Sequence, residues 1–452
     1  MSDLLQLRQQ GLFAARAPRY TSYPPANRFT AAVGAEQMRA WLGALVPGHP
    51  VSVYVHIPFC RRLCWFCACR TQGTRNAAPV AAYLRTLVAE LRLIRAALPG
   101  PVPMARLHWG GGTPTLLTPV QIGRLARAIR AVFSPVPGAE FSVEIDPAEL
   151  DAPRMDALAR AGLTRASIGV QDFDPRVQAA IGREQGFDIT RTAVAMARAA
   201  GIDSVNADVL YGLPHQDPTR MARTIEMVLA LRPDRVALYG YAHVPWMARR
   251  QVMIPQDALP DPEARLALFD LARRRLLLQG YHALGIDHFA LPTDSLARAA
   301  AAGRLRRNFQ GYTDDSAPVL IGLGASAISR FPQGHVQNAP ATGAYATAIR
   351  DGRMAAVRGH ALGRDDVLRG ALIEALMCDL AIDIPRMAAR LDVPPAQIGQ
   401  LLAPLRARFA PWLTERGDGL AIAPAGRPLT RLMAQMLDAG SDDPAPRHSA
   451  AV

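Results

Sequence analysis

The sequence predicts an α/β fold: a partial (β/α)6 barrel with an N-terminal arm and a mostly helical C-terminal domain. Two observations carry this expectation. Between about residues 51 and 245, short β-branched runs alternate with longer segments of helical period, and such alternation builds a parallel sheet through right-handed crossovers. The chain has 452 residues, half of them hydrophobic, enough for one large α/β unit and a smaller partner at about 150 residues per domain.

Taken in order, the arm spans residues 1–48. Its Pro18-Arg19-Tyr20-Thr21-Ser22-Tyr23-Pro24-Pro25 stretch is too rich in proline for a regular element, and it is read as an ordered arm. Strands are predicted at Val51–Ile57, Ala105–Trp109, Glu140–Ile145, Arg165–Val170, Ser204–Leu210 and Arg235–Tyr241. Helices are predicted between them at Val80–Leu98, Pro119–Phe133, Ala152–Ala161, Thr190–Ala200 and Pro218–Leu231. Six strand–helix units fall short of a closed eight-fold barrel, so the barrel is expected to stay open, with functional residues at the C-terminal ends of its strands. The catalytic unit is taken as residues 49–345. Residues 346–440 turn helical, with Asp365–Leu380, Ile384–Leu391, Pro395–Phe409, a hairpin signal at Gly417-Asp418-Gly419, and Pro428–Leu437. That order is like a winged helix, but Arg is spread over several helix faces, which favours a packing domain or lid over a DNA reader. The polar stretch 441–452 reads as a disordered tail.

Composition narrows the chemistry. Net charge is +13, and there is no lysine at all, so every basic side chain is a permanently charged arginine able to grip carboxylate or phosphate with two parallel bonds. Schiff-base and P-loop lysines are therefore excluded. The charge suggests an anionic partner. Five cysteines are too few for a disulfide framework, and four of them, Cys60, Cys64, Cys67 and Cys69, fall within ten residues. Such crowding reads as metal or redox chemistry in a reducing cytoplasm. Cys378, on an apolar helical face, reads as inert core. The first residues lack the apolar run and cleavage site of a signal peptide, and no stretch approaches the roughly 18 apolar residues of a membrane span.

Directly after the first predicted strand, Cys60, Cys64 and Cys67 form a Cys-x3-Cys-x2-Cys loop. Three thiolates on one compact loop can hold three corners of a [4Fe-4S] cluster and leave the fourth iron open. A structural zinc site would need four closed ligands, here including Cys69, and one short loop hardly encloses a tetrahedron. Cys69 itself reads as a fourth ligand, a thiol facing substrate, or a small turn residue. After the second strand, Trp109-Gly110-Gly111-Gly112-Thr113-Pro114-Thr115 offers backbone that a ligand can approach closely. The next strand ends bring Glu144, Gln171 and Asp208. Each alone is more often a cap or a solvated edge, but together around one loop they suggest a pocket. Arg183 is either a surface ion pair or a reach toward a ligand carboxylate.

The cysteine loop after strand one resembles that of the radical S-adenosylmethionine (SAM) enzymes. The likeness implies an open iron that chelates SAM and donates an electron, which cleaves the sulfonium and yields a 5′-deoxyadenosyl radical. It sharpens with Pro18-Arg19-Tyr20-Thr21-Ser22-Tyr23-Pro24, His56-Ile57-Pro58-Phe59-Cys60, Cys67-Ala68-Cys69 and His108-Trp109-Gly110-Gly111-Gly112-Thr113-Pro114-Thr115. Gly169-Val170-Gln171-Asp172-Phe173, Tyr211-Gly212-Leu213-Pro214, Tyr241-Ala242-His243 and Asp287-His288-Phe289 extend it, as do Arg307-Asn308-Phe309-Gln310-Gly311-Tyr312 and Gly324-Ala325-Ser326-Ala327-Ile328-Ser329. These stretches resemble the oxygen-independent coproporphyrinogen III oxidase family of haem biosynthesis.

That resemblance implies Cys60, Cys64 and Cys67 as cluster ligands and Tyr54, Gly111 and Glu144 as contacts to cluster-bound SAM. It implies a second SAM held by Phe66, Gly112, Thr113, Gln171, Arg183, Asp208, Ala242 and Ile328, and a catalytic part for Cys69 and His56. The implied reaction turns two propionates of coproporphyrinogen III into vinyl groups, giving protoporphyrinogen IX. An electron donor and an acceptor are required, and the enzyme is expected to be a cytoplasmic monomer with no nucleic-acid role. Ala148, where the family is expected to carry Arg, and His335-Val336-Gln337-Asn338 depart from the pattern. The related haem-chaperone branch and two-SAM radical methylases are the alternatives, and the arm and the Cys-x-Cys ending favour the oxidase.

Overall fold

The computed structural model describes residues 3–309, 311–440 and 448–452. Six parallel strands form where strand–helix alternation places them: β1 (Val51–Ile57), β2 (Val102–Gly111), β3 (Phe133–Ile145), β4 (Arg165–Gln171), β5 (Ser204–Tyr211) and β6 (Arg235–Gly240). They neighbour one another in sequence order, each paired parallel to the next. Beyond β6 come two short antiparallel strands, β7 (His282–Leu284) and β8 (His288–Ala290), with β8 against β6. Beyond β1 lie β9 (Leu320–Leu323), β10 (Ile328–Phe331), β11 (Gly334–Asn338) and β12 (Ala356–Ala361). The twelve strands make one sheet in the order β12-β11-β10-β9-β1-β2-β3-β4-β5-β6-β8-β7, open at both ends.

The helices close the outer face. Ala77–Ala97, Pro119–Arg130, Ala152–Arg160, Phe187–Ala199 and Pro218–Ala230 correspond to the five predicted helices, with no end shifted by more than three residues. Their starts have visible causes. Thr118, Asp151 and Asp217 cap N-termini by accepting the backbone N–H three residues on, and each precedes a segment with proline in its first turn. Pro119–Arg130 then buries Ile122, Leu125 and Ile129 at 0% exposure, each contributing about 1.5–3 kcal/mol. Trp109 on β2 meets Phe141 on β3 edge-on at 4.9 Å in the same core.

The structure adds a seventh parallel strand. β9 pairs parallel with β1 on the side away from β2. It is only four residues long and carries Gly322, whose Cβ would lie 2.5 Å from the Ile328 carbonyl oxygen, so neither length nor β-branching announces it. The sheet also outruns the expected boundary at residue 345: Gly334 pairs with Ala361, which keeps β12 in the barrel unit. The helical domain begins after it, with Arg364–Asp379, Ile384–Leu391 and Pro395–Phe409 and the hairpin Leu413–Arg416/Gly419–Ile422. Its core takes in Leu7, Leu12, Ala17 and Tyr20 from the arm. Of the expected disordered tail, residues 441–447 lie outside the described residues. The rest is ordered: Arg16 bridges to Ala450, and Ala451 and Val452 are each 8% exposed, because two small apolar side chains complete the core that the arm began. No helix among the described residues is long and apolar enough to cross a membrane.

Candidate active site

Side chains alternate across a strand, and the inward face of this sheet is polar. Tyr54, His108, Ser142, Glu144, Ser167, Asn206, Asp208 and Tyr239 line one cavity of about 510 Å3 at the heart of the sheet. Its floor is ionic. Arg106 pairs with Glu140 at 2.9 Å and with Asp314 at 2.8 Å, and Arg165 pairs with Glu140 at 2.5 Å. Above them His108 bonds Ser142, and Asn206 Nδ2 donates to the Ser167 hydroxyl at 2.9 Å and to Asp208 Oδ1 at 2.8 Å.

The roof is built from strand ends. Gly111 N–H donates to Glu144 Oε2 at 2.9 Å, and His108 Nε2 approaches Oε1 at 3.4 Å. Burial raises the Glu144 pKa, but His108 and Gly111 outweigh it and hold the carboxyl below its ordinary value. At Asp208 burial wins, aided by repulsion from Glu144, and pushes the carboxyl up to about 6. Tyr54 stacks on His108 with ring centres 5.7 Å apart. His56 Nε2 lies 3.0 Å from the Arg70 carbonyl, which can only accept, so Nε2 carries the proton and Nδ1 accepts from the Tyr54 hydroxyl at 3.0 Å. Burial lowers the His56 pKa and keeps this neutral form.

The cysteine loop leaves β1 and is tied down all along its length. Gly112 and Thr113 donate to the carbonyls of Ile57 and Phe59 at 2.8 and 2.7 Å. The glycine run allows this closeness: a Cβ on Gly110 would stand 2.6 Å from Glu144 Oε1, one on Gly112 2.5 Å from the Phe59 carbonyl, and one on Gly111, at φ +103°, would overlap the His56 ring. Trp65 N–H donates to the Ile181 carbonyl at 2.9 Å. Arg183, 8% exposed, donates to Cys64 Sγ at 3.4 Å, to Asp146 at 3.4 Å and to the Gly169 carbonyl at 3.0 Å. Gln251 bridges the carbonyls of Phe66 and Ala242 at 2.7 and 2.9 Å, and Arg250 reaches the Cys69 carbonyl at 3.2 Å and the Thr71 hydroxyl at 2.8 Å.

The thiols are differentiated. Burial pushes Cys60 up to about 11. The Cys69 thiol donates to Cys67 and, with Arg250 and Arg183 near, brings Cys67 well below the usual thiol value against the cost of burial, while Cys69 is pushed up. A closed zinc site would need four such side chains on one ion. A four-iron cluster instead takes one thiolate per iron. Cys60, Cys64 and Cys67, near enough to influence one another's charge, suit that demand.

Among the residues singled out in the sequence, Tyr54, His56, Cys69, Gly111, Glu144, Asp208 and Ile328 face the cavity together. Phe66, Gly112, Thr113, Gln171, Arg183 and Ala242 do not line it. They gather on the loop side, where Thr113 bonds Cys60 and Gln171 takes a positive φ of +69° that a non-glycine residue holds only where its surroundings enforce it. Residues 54–228 match the Radical SAM superfamily. Over all 452 residues and the full length of both chains, the sequence is 58% identical to the oxygen-independent coproporphyrinogen III oxidase of Paracoccus denitrificans. The chain belongs to that oxidase family. It is also 51% identical, again over both full lengths, to the anaerobic coproporphyrinogen III oxidase 1 of Cereibacter sphaeroides. The solved coproporphyrinogen III oxidase of Escherichia coli, described as a radical SAM enzyme, superposes with a TM-score of 0.88 at 37% identity, covering 93% of this chain and 97% of that one.

Several cavity residues of this family member were not anticipated from sequence: His108, Ser142, Ser167, Asn206, Tyr239 and His288. A signal for two of them, Ser142 and Asn206, was present. Polar residues recur at every second position in Ser52-x-Tyr54-x-His56, Glu140-x-Ser142-x-Glu144 and Ser204-x-Asn206-x-Asp208, the period of a strand whose inward face meets a polar lumen rather than a packed one.

Proposed function

We propose that this chain is an oxygen-independent coproporphyrinogen III oxidase, converting two propionate side chains of coproporphyrinogen III to vinyl groups on the way to haem. The observation that carries the reading is the three-cysteine loop, tied to the strand ends and continuing into Cys69 and Arg70, which line the polar cavity of Tyr54, Glu144 and Asp208. Each propionate gives up one β-hydrogen, carbon dioxide and one electron, and a vinyl group remains. A [4Fe-4S] cluster and SAM, when bound, supply the one-electron chemistry that takes a hydrogen atom from an unactivated carbon.

In this reading Cys60, Cys64 and Cys67 hold the cluster, and Arg183, with Nη1 at Cys64 Sγ, offsets its negative charge. Tyr54, Gly111 and Glu144 receive the first SAM. Glu144 is suited to an ammonium or a ribose hydroxyl, because it is held ionised and 41% of its side chain is open to the cavity. Phe66, Gly112, Thr113, Gln171, Arg183, Asp208, Ala242 and Ile328 receive the second. Asp208 and Ile328 do so from the cavity wall, and Phe66 and Ala242 through backbone that Gln251 aligns. Gly112 and Thr113 have their N–H groups taken by the cysteine loop, so only their remaining surface is free for a ligand. His56, neutral and donating to the Arg70 carbonyl, fixes the segment that carries Cys69, and Cys69 stands at the cavity edge. One chain works alone in the cytoplasm, supplied by a one-electron donor and relieved by an acceptor.

The test is anaerobic incubation of the reduced, reconstituted protein with SAM and coproporphyrinogen III. Mono- and divinyl products are expected, with release of carbon dioxide. Haem binding without vinyl formation would put the chain in the chaperone branch, and methylated product with S-adenosylhomocysteine would make it a methylase.

A further inference from the structure

A second cavity, of about 230 Å3, lies at the C-terminal end of β6 behind His288, which lines both this cavity and the central one. Arg19, Arg265, Arg307 and Arg431 surround it. They are bound into one assembly by the arm. Arg19 donates to the Gly240 carbonyl, where β6 ends, and Arg265 donates to the next carbonyl, that of Tyr241, at 2.7 Å. Arg307 donates to the Arg19 carbonyl at 3.3 Å, and Arg431 to the Pro18 carbonyl at 3.1 Å. Space is left for these groups on purpose: a Cβ on Gly212, at φ +81°, would stand 2.8 Å from the Arg265 guanidinium carbon. Tyr211 and Tyr312 lie under Arg265 and Arg307 at 5.9 and 4.4 Å.

The cluster is short of negatively charged side chains. Among the described residues, the ion pair that reaches these four guanidiniums is Asp287 to Arg307, at 3.9 Å, and Asp287 also serves His288 at 2.7 Å. Asp270 is on the wall but closest in influence to Arg273 and Arg274. Arg265 Nε and Arg307 Nε and Nη1 are buried without a hydrogen-bond acceptor. The carbonyls of Ala450 and Ala451, each 3.0 Å from Arg431 Nη1, satisfy donors but carry no charge. Burial, then Arg19, pushes Arg431 down to about 9. Crowding cations in a half-buried cleft is costly unless an anion completes the set.

We propose that Arg19, Arg265, Arg307 and Arg431 form a subsite for the propionate carboxylates of the porphyrinogen that are not undergoing reaction. This rests on the oxidase reading above. Such a substrate carries four carboxylates and presents one at a time to the reacting centre, so the others need cationic partners. The volume fits a short carboxylate arm and falls below the roughly 300–1,000 Å3 of a pocket that encloses a whole ligand. His288 stands between the two cavities, so the proposed subsite lies one side chain away from the central one, and a propionate would reach it past that ring.

The experiment measures equilibrium binding of coproporphyrinogen III and of its uncharged tetra-amide to the full-length, cluster-loaded protein without oxygen. The natural protein is expected to prefer the acid by about tenfold or more. In Arg265→Met and Arg307→Met that preference falls toward one, while iron content and SAM binding stay unchanged. A purely structural role would not move the acid-to-amide ratio, so an unchanged ratio in folded variants overturns the subsite. If the methionine variants fail to fold, Arg265→Lys and Arg307→Lys keep a charge but lose the planar fork, and a preference reduced about threefold supports the proposal while an intact one overturns it. Inorganic phosphate that displaces the porphyrinogen at equal concentration would make this a free-anion site and also overturn it. Failure of the parent reading looks different: acid preference retained, with no vinyl product on turnover.

Discussion

Asp208→Asn should stabilise the protein without cofactors and weaken it as a cofactor binder. The carboxylate accepts from Asn206 Nδ2 at 2.8 Å and from the Ser167 hydroxyl at 3.1 Å, yet burial and Glu144 raise its pKa from 3.8 to about 6. At full strength such a shift corresponds to about 3 kcal/mol. The side chain borders a cavity that water enters, so screening brings the expected effect to about 1–3 kcal/mol. The sign follows from linkage. The folded state holds this proton more tightly than the unfolded state does, so the contribution of Asp208 to stability is fully present below pH 3.8 and lost as pH rises through about 6. At neutral pH the folded chain therefore bears the cost of a buried anion. Asparagine keeps an oxygen for Asn206 and lets the Ser167 hydroxyl turn to accept, while removing the charge. In urea unfolding of the cofactor-free protein, the variant should be more stable by that amount at neutral pH, and its advantage should shrink as the pH falls toward 4. In the cluster-loaded protein, one bound SAM should be lost with iron content unchanged. A variant less stable than the natural protein at neutral pH, or one with SAM stoichiometry intact, would refute both the electrostatic argument and the assignment.

Cys60→Ser, Cys64→Ser and Cys67→Ser should each prevent a complete cluster, read by iron content and absorbance, whereas Cys69→Ser should keep the four-iron spectrum and lose vinyl formation. Gly111→Ala places a Cβ against the His56 ring at φ +103°; calorimetry should show a loss of SAM affinity of tenfold or more, together with lower stability. Glu90 accepts from Gly324 N–H, Asn338 Nδ2 and the Tyr345 hydroxyl, all at 2.7 Å, and burial raises it to about 7. Glu90→Gln must turn an amide N–H toward one of those donors, and denaturant titration should show a cost on the order of 1–3 kcal/mol. The natural protein should lose stability between pH 4.5 and about 7 as this carboxyl ionises, and that slope should vanish in the variant.

What could be read from sequence was what lies close along the chain. The cysteine loop, the glycine run and the capped helices are contiguous, and each is shaped by its own residues, so Cys60 to Cys69 and Gly110 to Gly112 stand where their spacing places them. The polar lumen was equally local, a period of two in β3 and β5 that is passed over when these runs are taken simply as buried strands. Contacts that depend on the fold closing on itself were not legible. Gln251 aligns Phe66 across 185 residues and Arg307 holds the Arg19 carbonyl across 288. Neither motif contains a trace of its partner. β9 was lost for the same reason, since its place beside β1 follows from sheet topology and not from four residues.

The arm ties the helical domain to the mouth of the barrel. Tyr20 stands at φ +47°, a conformation a tyrosine keeps only under constraint from both sides. On one side its hydroxyl donates to Asp438 at 3.0 Å, and its ring is 5% exposed in the core of the helical domain. On the other, Arg19 is held at Gly240, at the end of a barrel strand. Two adjacent residues thus couple the core of one unit to the mouth of the other. The helical domain buries Leu372, Leu376, Ile398, Leu402 and Leu405 of its helices behind that coupling. Its basic charge then acquires a local purpose: Arg431 comes from this domain and Arg19 from the arm it anchors, and both deliver positive charge to the place where a polyanionic substrate must be held still while one of its side chains reacts.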